Sequence, residues 1–334
     1  MLQVTVKDNR LHFGDGFSIV FERTLRIPDD GKTYPLPPGL GAFPILKVAD
    51  FADKLPEDWR KHGGVFIPMY QREAMWMRFN ARYWKPNAVK IAVGKVNAVS
   101  GKPWNQALKK EKQDYLVCPP QPWLDGINAG DDTIRQFVAM PLGMGYTVEA
   151  QVTGKEEYGG VQIIVYEPKQ GKFPDEPPYQ EERFFRMAAA APASPMATKL
   201  VAGAAMGLGA GGKMRQKIYP DLHGIDTWDQ ENYGRVYVHI VNSMMFREIT
   251  GKEPPPTPIT AKTYAQYKFP WFDLYDDHMG DVEAPEALQN VKSVKEMDEQ
   301  KGFQTQQDDS PVNVPDDLII KYKVKTDDVQ DGEW

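Results

Sequence analysis

The sequence contains a single cysteine, Cys118, among its 334 residues. One thiol excludes disulfides within the chain and metal sites built from several cysteines. No apolar run reaches the roughly 18 residues of a membrane-spanning helix, and the first residues have neither the basic nor the apolar region of a signal peptide. These absences predict a cytoplasmic protein with no membrane span, long enough to form a core without disulfides or metals.

Signatures of catalysis are also missing. There is no G-x-S-x-G nucleophile motif, and the five histidines occur singly along the chain. Two prolines follow Cys118, so no helix begins there to activate its thiol. The net charge of −6 lacks the basicity of nucleic-acid-binding domains. We therefore favour a non-enzymatic protein and predict neither a cofactor nor a nucleic-acid partner.

Short segments in which apolar and polar residues alternate are abundant. Leu2, Val4 and Val6 alternate with polar neighbours, and an Asp-Gly turn at Asp15 separates two apolar segments, which predicts a hairpin. Further strands are predicted at residues 64–70, 74–79, 89–99, 115–118, 135–140, 147–153 and 161–166. Many short strands with frequent turns predict a mainly β fold, an antiparallel, jelly-roll-like β-sandwich with a smaller α-containing C-terminal part.

Composition divides the chain into four predicted regions. Residues 1–170 form the sandwich domain. Residues 171–232 contain a proline-rich linker and a Gly/Ala-rich segment, for which we expect a short helix near residues 198–206 and then a mobile glycine loop. Residues 233–300 form a mixed or α-helical part that packs on the sandwich. Residues 301–334 form an acidic tail with a terminal strand.

Within the third region, two helical segments are expected. Residues 235–240 alternate as a strand and precede a helix that Gly251 closes, although one continuous helix would also fit. Residues 285–299 carry an apolar residue at roughly every third position, which predicts a single surface helix.

The glycine-rich segment contains the candidate cofactor-binding pattern. Gly207 to Lys213 match G-x-x-x-x-G-K, and Gly207, Gly209 and Gly212 also match G-x-G-x-x-G. A phosphate loop follows a buried strand and has Ser or Thr after its lysine. Here Met214 follows Lys213, and alanines and a glycine precede the loop. The pattern favours a flexible or closely packed loop, with nucleotide binding as the alternative.

Three carboxylates and one imidazole lie close together in sequence, at Asp221, His223, Asp226 and Asp229. Such side chains can hold a divalent cation. Their spacing matches neither a calcium loop nor the H-E-x-x-H zinc helix. Asp and Gly residues that cap helices and form Asx-turns explain the cluster at least as well.

Charge is unevenly distributed along the chain. Residues 273–334 contain 17 acidic residues and 6 lysines, whereas residues 1–272 contain 34 basic and 29 acidic residues. The net charge of −6 therefore combines an end of −11 with a body of +5. Such an end is either a solvated tail or a segment that docks on a basic surface of its own body or of a neighbouring copy.

Near the end of the chain, the apolar residues Ile320, Tyr322 and Val324 alternate strictly with lysines. This alternation predicts a strand with one apolar face and one lysine face. A lysine-rich strand suits the edge of a sheet, because like charges oppose further pairing.

Aromatic residues are concentrated in two parts of the chain. The first lies in the β region and includes Tyr83 and Trp84; its members form either a core or a surface patch that contacts protein or sugar. The second comprises Trp271, Phe272 and Tyr275, beside the proline-rich connector, and is a candidate docking segment.

Together these features predict a binding or self-assembling protein that uses aromatic and C-terminal strand docking, with itself or another protein as partner. The alternative is an enzyme or ligand-binding protein with a site in the sandwich, at the glycine segment or at the acidic cluster. Peripheral membrane contact through residues 200–214 is a third possibility.

Overall fold

A computed structural model describes residues 1–109, 111–177, 205–275, 279–304, 306 and 309–323. Strands make up 39% and helices 18% of the structure, so the fold is mainly β as predicted. In chain order, the strands of the described part are β1 (Val4–Lys7), β2 (Arg10–Phe13), β3 (Phe17–Thr24), β4 (Thr33–Tyr34), β5 (Gly39–Ala42), β6 (Leu46–Lys47), β7 (Val65–Met69), β8 (Ala74–Ala81), β9 (Asn87–Val93), β10 (Val96–Asn97), β11 (Leu116–Cys118), β12 (Trp123–Leu124), β13 (Gly126–Gly130), β14 (Thr133–Pro141), β15 (Val161–Pro168), β16 (Ala205–Arg215), β17 (Trp228–Asn242), β18 (Trp271–Tyr275) and β19 (Ile319–Lys323). The α-helices are α1 (Glu57–His62), α2 (Val148–Thr153), α3 (Ser243–Thr250), α4 (Ala261–Gln266), α5 (Glu286–Gln289) and α6 (Val294–Gln300).

Two layers of largely antiparallel strands form the body of the sandwich. The first layer runs β1-β2-β3-β8-β14-β16, and every neighbouring pair in it is antiparallel. The second layer runs β9-β15-β17-β7-β6, with only the β17–β7 pair parallel. The layers meet where Ala205 and Met206 of β16 pair with the end of β17. The predicted antiparallel β-sandwich is therefore confirmed.

The main hydrophobic core collects alternate residues from both layers. Val89, Ile91 and Val93 of β9 belong to it, because every second side chain of a strand points to the same face. The intervening positions of this layer are also covered: Ile164 and Tyr166 pack in a separate cluster with Tyr115, Val117 and Trp228. Burial on both faces explains why these strands are rich in apolar residues.

The glycine-rich segment is a strand, so the prediction of a mobile glycine loop was wrong. Of the helix predicted near residues 198–206, residues 198–204 lie outside the described residues, and Ala205 and Met206 belong to β16. Strand β16 pairs with β14 from Met206 to Arg215 and is buried along most of its length. A Cβ atom on Gly212 would lie 2.4 Å from the carbonyl oxygen of Pro28. Glycine is used here for close approach of neighbouring backbones rather than for flexibility.

Two further local predictions were wrong. Residues 147–153 form helix α2 instead of a strand, because Thr147 caps the helix by accepting a hydrogen bond from the Ala150 amide and Gly154 ends it in a left-handed conformation. Residues 285–299 form two short helices rather than one. The second, α6, begins at Val294 and is capped by Ser293, whose side chain forms a reciprocal capping box with Glu296.

The predicted strand and helix around residue 242 are confirmed. Strand β17 contains residues 235–240, and α3 follows it and ends at Gly251. The boundary proposed between residues 232 and 233 falls inside β17, and β16 comes from the predicted linker region. The described residues from 205 to 242 thus belong to the same sheet as the first 170.

Part of the predicted tail also packs on the body. Asp309 is 2% exposed and forms an ion pair with Arg26, with 2.7 Å between Oδ1 and Nη2. Val312 is buried beside Tyr34 in a second hydrophobic cluster. In this region the chain contributes to the core rather than remaining solvated.

Candidate functional site

Strands β18 and β19 form a separate two-stranded parallel sheet. Trp271 is the register partner of Ile319, and Phe272 is the partner of Ile320. The two C-terminal segments predicted to dock are therefore paired with each other inside one chain. Val324 lies outside the described residues.

Strand β18 attaches this sheet to the sandwich. The amide of Phe272 donates to the Leu36 carbonyl at 2.9 Å, and the amide of Leu36 donates to the Phe272 carbonyl at 2.7 Å. An isolated two-stranded sheet is only marginally stable in water. The pair β18–β19 therefore depends on its anchorage to the body.

Trp271 supplies the apolar part of that anchorage. Its side chain is fully buried and meets the ring of Tyr264 edge-on, with centroids 5.8 Å apart and planes at 84°. The same cluster contains Ile27, Leu36 and Met214, and burial raises the pKa of Tyr264 to about 12. Burying a large aromatic side chain stabilises a fold by a few kcal/mol, on the order of 2–3. Trp271 is thus part of the protein's own core.

An ion pair joins the acidic end of the chain to the basic segment after the glycines. Asp273 Oδ2 lies 2.7 Å from Nη1 of Arg215, and Asp273 is 3% exposed. The sequence predicts that the acidic end either is solvated or docks on a basic surface. This contact is one instance of docking on the chain's own body.

Among the described residues, the outer edge of β19 has no strand partner. In the described part of the chain, β18 is the only strand that pairs with it. Ile319 packs against the cluster that contains Trp271, whereas Ile320 is 44% exposed and Lys321 is also exposed. The predicted apolar residue Ile320 therefore lies away from the body, together with an unpaired strand edge.

The four candidate cofactor residues extend along one strand. Gly207, Gly209 and Gly212 pack against Thr147, Tyr146 and Pro28, respectively. Lys213 pairs through its backbone with Arg135 on one side and Thr33 on the other. Backbone groups committed to a sheet do not surround a phosphate, which requires a loop or a helix N-terminus.

The carboxylate of Asp221 organises its own turn. Its Oδ1 accepts hydrogen bonds from the backbone amides of His223 and Gly224, and its Oδ2 accepts from the Tyr115 hydroxyl at 2.7 Å and from Trp228 Nε1 at 2.9 Å. Burial and the bond to Asp221 raise the pKa of Tyr115. These bonds use the oxygens that a metal would need.

The other members of the acidic cluster are not assembled around a common point. Asp229 accepts from the amides of Glu231 and Asn232, which is an Asx-turn. Asp226 lies in a single helical turn, and the ring of His223 packs edge-on against Phe173 and Trp228. Among the described residues, no group of three or more His, Cys, Asp or Glu side chains is arranged to hold a metal ion.

The aromatic residues of the β region have different environments. Phe79 is in the core and Trp76 packs on Trp123, whereas Tyr83 is 56% exposed. Tyr83 and Trp84 border a cavity of about 430 Å³ on the first layer, lined by His12, Asp15, Gly16, Phe17, Ser18, Asn80, Ala81, Arg82, Tyr83 and Trp84. Sequence reasoning identified the aromatic pair but missed the cavity, because its polar residues come from three strands.

Comparisons with models of protein families, with curated proteins and with solved structures found no match. In the described ranges, no helix is both long enough and apolar enough to cross a membrane.

Proposed function

We propose that this chain is a non-enzymatic, cytoplasmic binding protein that self-assembles through the outer edge of β19. The observation that carries the proposal is an open strand edge, with Ile320 exposed beside it, on a strand pair anchored by the buried Trp271.

Addition of a strand to an open edge supplies backbone hydrogen bonds and places side chains in register. A fixed edge binds more tightly than a flexible one, because less conformational freedom is lost on association. The hydrogen bonds between Phe272 and Leu36 and the burial of Trp271 fix this edge before a partner arrives. Ile320 then offers apolar surface to that partner.

The lysines of β19 favour a partner segment of opposite charge. Two copies of β19 placed side by side would bring lysines together, which opposes pairing. A segment with carboxylates would be attracted instead. The sequence that follows β19 carries such residues, namely Asp327, Asp328, Asp331 and Glu333. A second copy of this chain therefore supplies a complementary segment, and we propose that it is the partner.

Substitution at the exposed edge tests the proposal. Sedimentation velocity should show concentration-dependent association of the full chain. Ile320→Asp should weaken it at least about tenfold, which corresponds to about 1.4 kcal/mol, because the variant loses the apolar contact and repels the carboxylates of the partner. Leu222→Asp is the matched control, since Leu222 is 76% exposed and lies outside the strand pair. Equal association of the two variants and the unmodified chain would overturn the proposal.

A further inference from the structure

A turn with two aromatic residues, Tyr83 and Trp84, follows the end of β8. Arg82 and Lys85 form a bridge that closes the turn, with the Lys85 amide donating to the Arg82 carbonyl at 3.3 Å, so Tyr83 and Trp84 occupy its centre. The two rings meet edge-on, with centroids 4.9 Å apart and planes at 76°. Turn centres usually carry Gly, Asn, Asp or Pro. Tyr83 is 56% exposed and Trp84 is half-buried, so the exposed Tyr83 side chain forgoes burial that would stabilise the fold by about 1.5–3 kcal/mol.

A row of polar side chains lies beside this turn. The register of three adjacent strands aligns His12 with Ser18 and Ser18 with Asn80. Directly opposed residues share one face of a sheet. The neighbouring positions Phe13 and Phe17 belong to the core, so the polar row faces away from the core.

Two residues that line the cavity carry a buried donor with no acceptor in the described part of the chain. Asn80 Nδ2 and Trp84 Nε1 are buried and have no hydrogen-bond partner among the described residues. An unsatisfied buried donor costs about 1–3 kcal/mol. Ser18 and Asp15 add a hydroxyl and a carboxylate to the same cavity. Its volume, about 430 Å³, lies in the range of small-molecule sites, roughly 300–1,000 Å³.

The charges of the lining do not favour an anion. Arg82 and Asp15 are its two residues with full charges, and these have opposite signs. The guanidinium of Arg82 lies over the Trp84 ring, 5.9 Å from the centroid, and Nη2 donates to the Asp15 carbonyl at 3.4 Å. A phosphate or carboxylate site instead presents several unopposed cationic or amide donors.

We propose that this cavity, which we name the Tyr83 groove, binds a neutral saccharide. The apolar C–H face of a pyranose ring packs against an aromatic ring, whose π-face is electron-rich. The sugar hydroxyls can both donate and accept, and so match the mixed row of imidazole, hydroxyl and amide at His12, Ser18 and Asn80. This inference is independent of self-assembly, because it uses a different layer and different residues.

The test is calorimetric titration of the full chain with maltohexaose, cellohexaose, xylohexaose, mannohexaose and chitohexaose, alongside a galacturonate hexamer and ATP. Saturable binding of at least one neutral hexasaccharide is expected, with at least about tenfold weaker binding in both Tyr83→Ala and Trp84→Ala. Tyr267→Ala is the control, because Tyr267 is 67% exposed in a different part of the fold. Melting curves show whether each variant is folded.

Each result of the titrations either supports or overturns the proposal. Neutral hexasaccharide binding that Tyr267→Ala retains and that folded Tyr83→Ala and Trp84→Ala lose supports the proposal. No saturable binding of any of the five neutral probes overturns it, as does binding confined to the galacturonate hexamer or to ATP. Neutral binding unchanged in both groove variants also overturns it. The mass of the chain is measured in parallel, so failure of this site and failure of self-assembly are distinguished.

Discussion

The guanidinium of Arg72 donates two hydrogen bonds to the carboxylate of Asp298, at 2.8 and 2.7 Å. The two residues are 226 positions apart in sequence, and the Tyr146 hydroxyl adds a third bond to the same carboxylate at 2.7 Å. Asp298 is 1% exposed. This paired arrangement fixes α6 to the sandwich, because bidentate charged bonds impose both distance and orientation.

Asp298→Ala should therefore destabilise the protein by about 1–3 kcal/mol, since it leaves the half-buried Arg72 guanidinium and the Tyr146 hydroxyl without their acceptor. Urea unfolding measures the free energy of unfolding. The neighbouring Glu299→Ala is the control, because the Glu299 side chain is 56% exposed. An equal, small effect of both substitutions would show that the pair does not hold the helix.

The free energy of unfolding should fall on acidification because of His239. Its ring is stacked between Trp59 and Tyr237, with centroid distances of 4.4 and 4.3 Å, and burial lowers its pKa to about 3. An unfolded histidine titrates near 6.5. Between these values the unfolded chain binds more protons, so this residue removes up to about 1.4 kcal/mol of stability per pH unit as the pH falls.

The measurement is the difference in unfolding free energy between the unmodified chain and His239→Phe, which retains a stacked ring. This difference should move in favour of the variant from about pH 6.5 downward. A difference that stays constant with pH would refute the assignment.

Asp125 should change the unfolding free energy with pH in the opposite direction to His239. It is 2% exposed, and burial raises its pKa to about 7 despite hydrogen bonds from Gln216 and Trp123. An unfolded aspartate titrates near 3.9. The folded state therefore binds more protons between about pH 4 and 7, and the stability from this group is present at low pH and lost as the pH rises. Relative to the unmodified chain, Asp125→Asn should gain stability across that interval. Parallel pH profiles from urea unfolding would contradict the prediction.

Gly212→Ala should destabilise the fold by about 1–3 kcal/mol, the usual effect of overpacking. The added Cβ would lie 2.4 Å from the Pro28 carbonyl oxygen. Gly280→Ala is the matched control, since the nearest heavy atom to its Cβ would be Pro220 Cγ at 3.9 Å. Thermal melting compares the two. A neutral Gly212→Ala would mean that β16 is not closely packed there.

The fold class could be predicted from the sequence because the alternation of apolar and polar residues in a strand involves only neighbouring positions. In β9, Val89, Ile91 and Val93 carry the period of two that also places them in the core. Strand β16 was missed because glycine has low strand propensity. Glycine is needed at position 212 because the Pro28 carbonyl approaches it closely, and Pro28 is distant in sequence. Helix α2 was missed because its few residues fit either period, and the cap at Thr147 decided the outcome.

The candidate sites were only partly predictable, because they combine residues that are distant in sequence. The aromatic group that includes Tyr83 and Trp84, and the segment containing Trp271, stood out by composition, but composition did not show which of these side chains are exposed. The parallel register of Trp271 with Ile319, however, joins segments that local patterns do not connect. Likewise, the alignment of His12 with Ser18 across neighbouring strands follows from register and not from spacing in sequence.

Native mass measured by light scattering at low and high salt tests the central claim most directly. We predict at least twice the chain mass of 37.8 kDa at low salt. The Debye length shrinks from about 30 Å at about 0.01 M salt to about 3 Å at about 1 M salt. The mass should therefore fall toward that of one chain at high salt, because the attraction between lysines and carboxylates is screened. A mass of 37.8 kDa at low salt at every protein concentration would contradict self-assembly through β19.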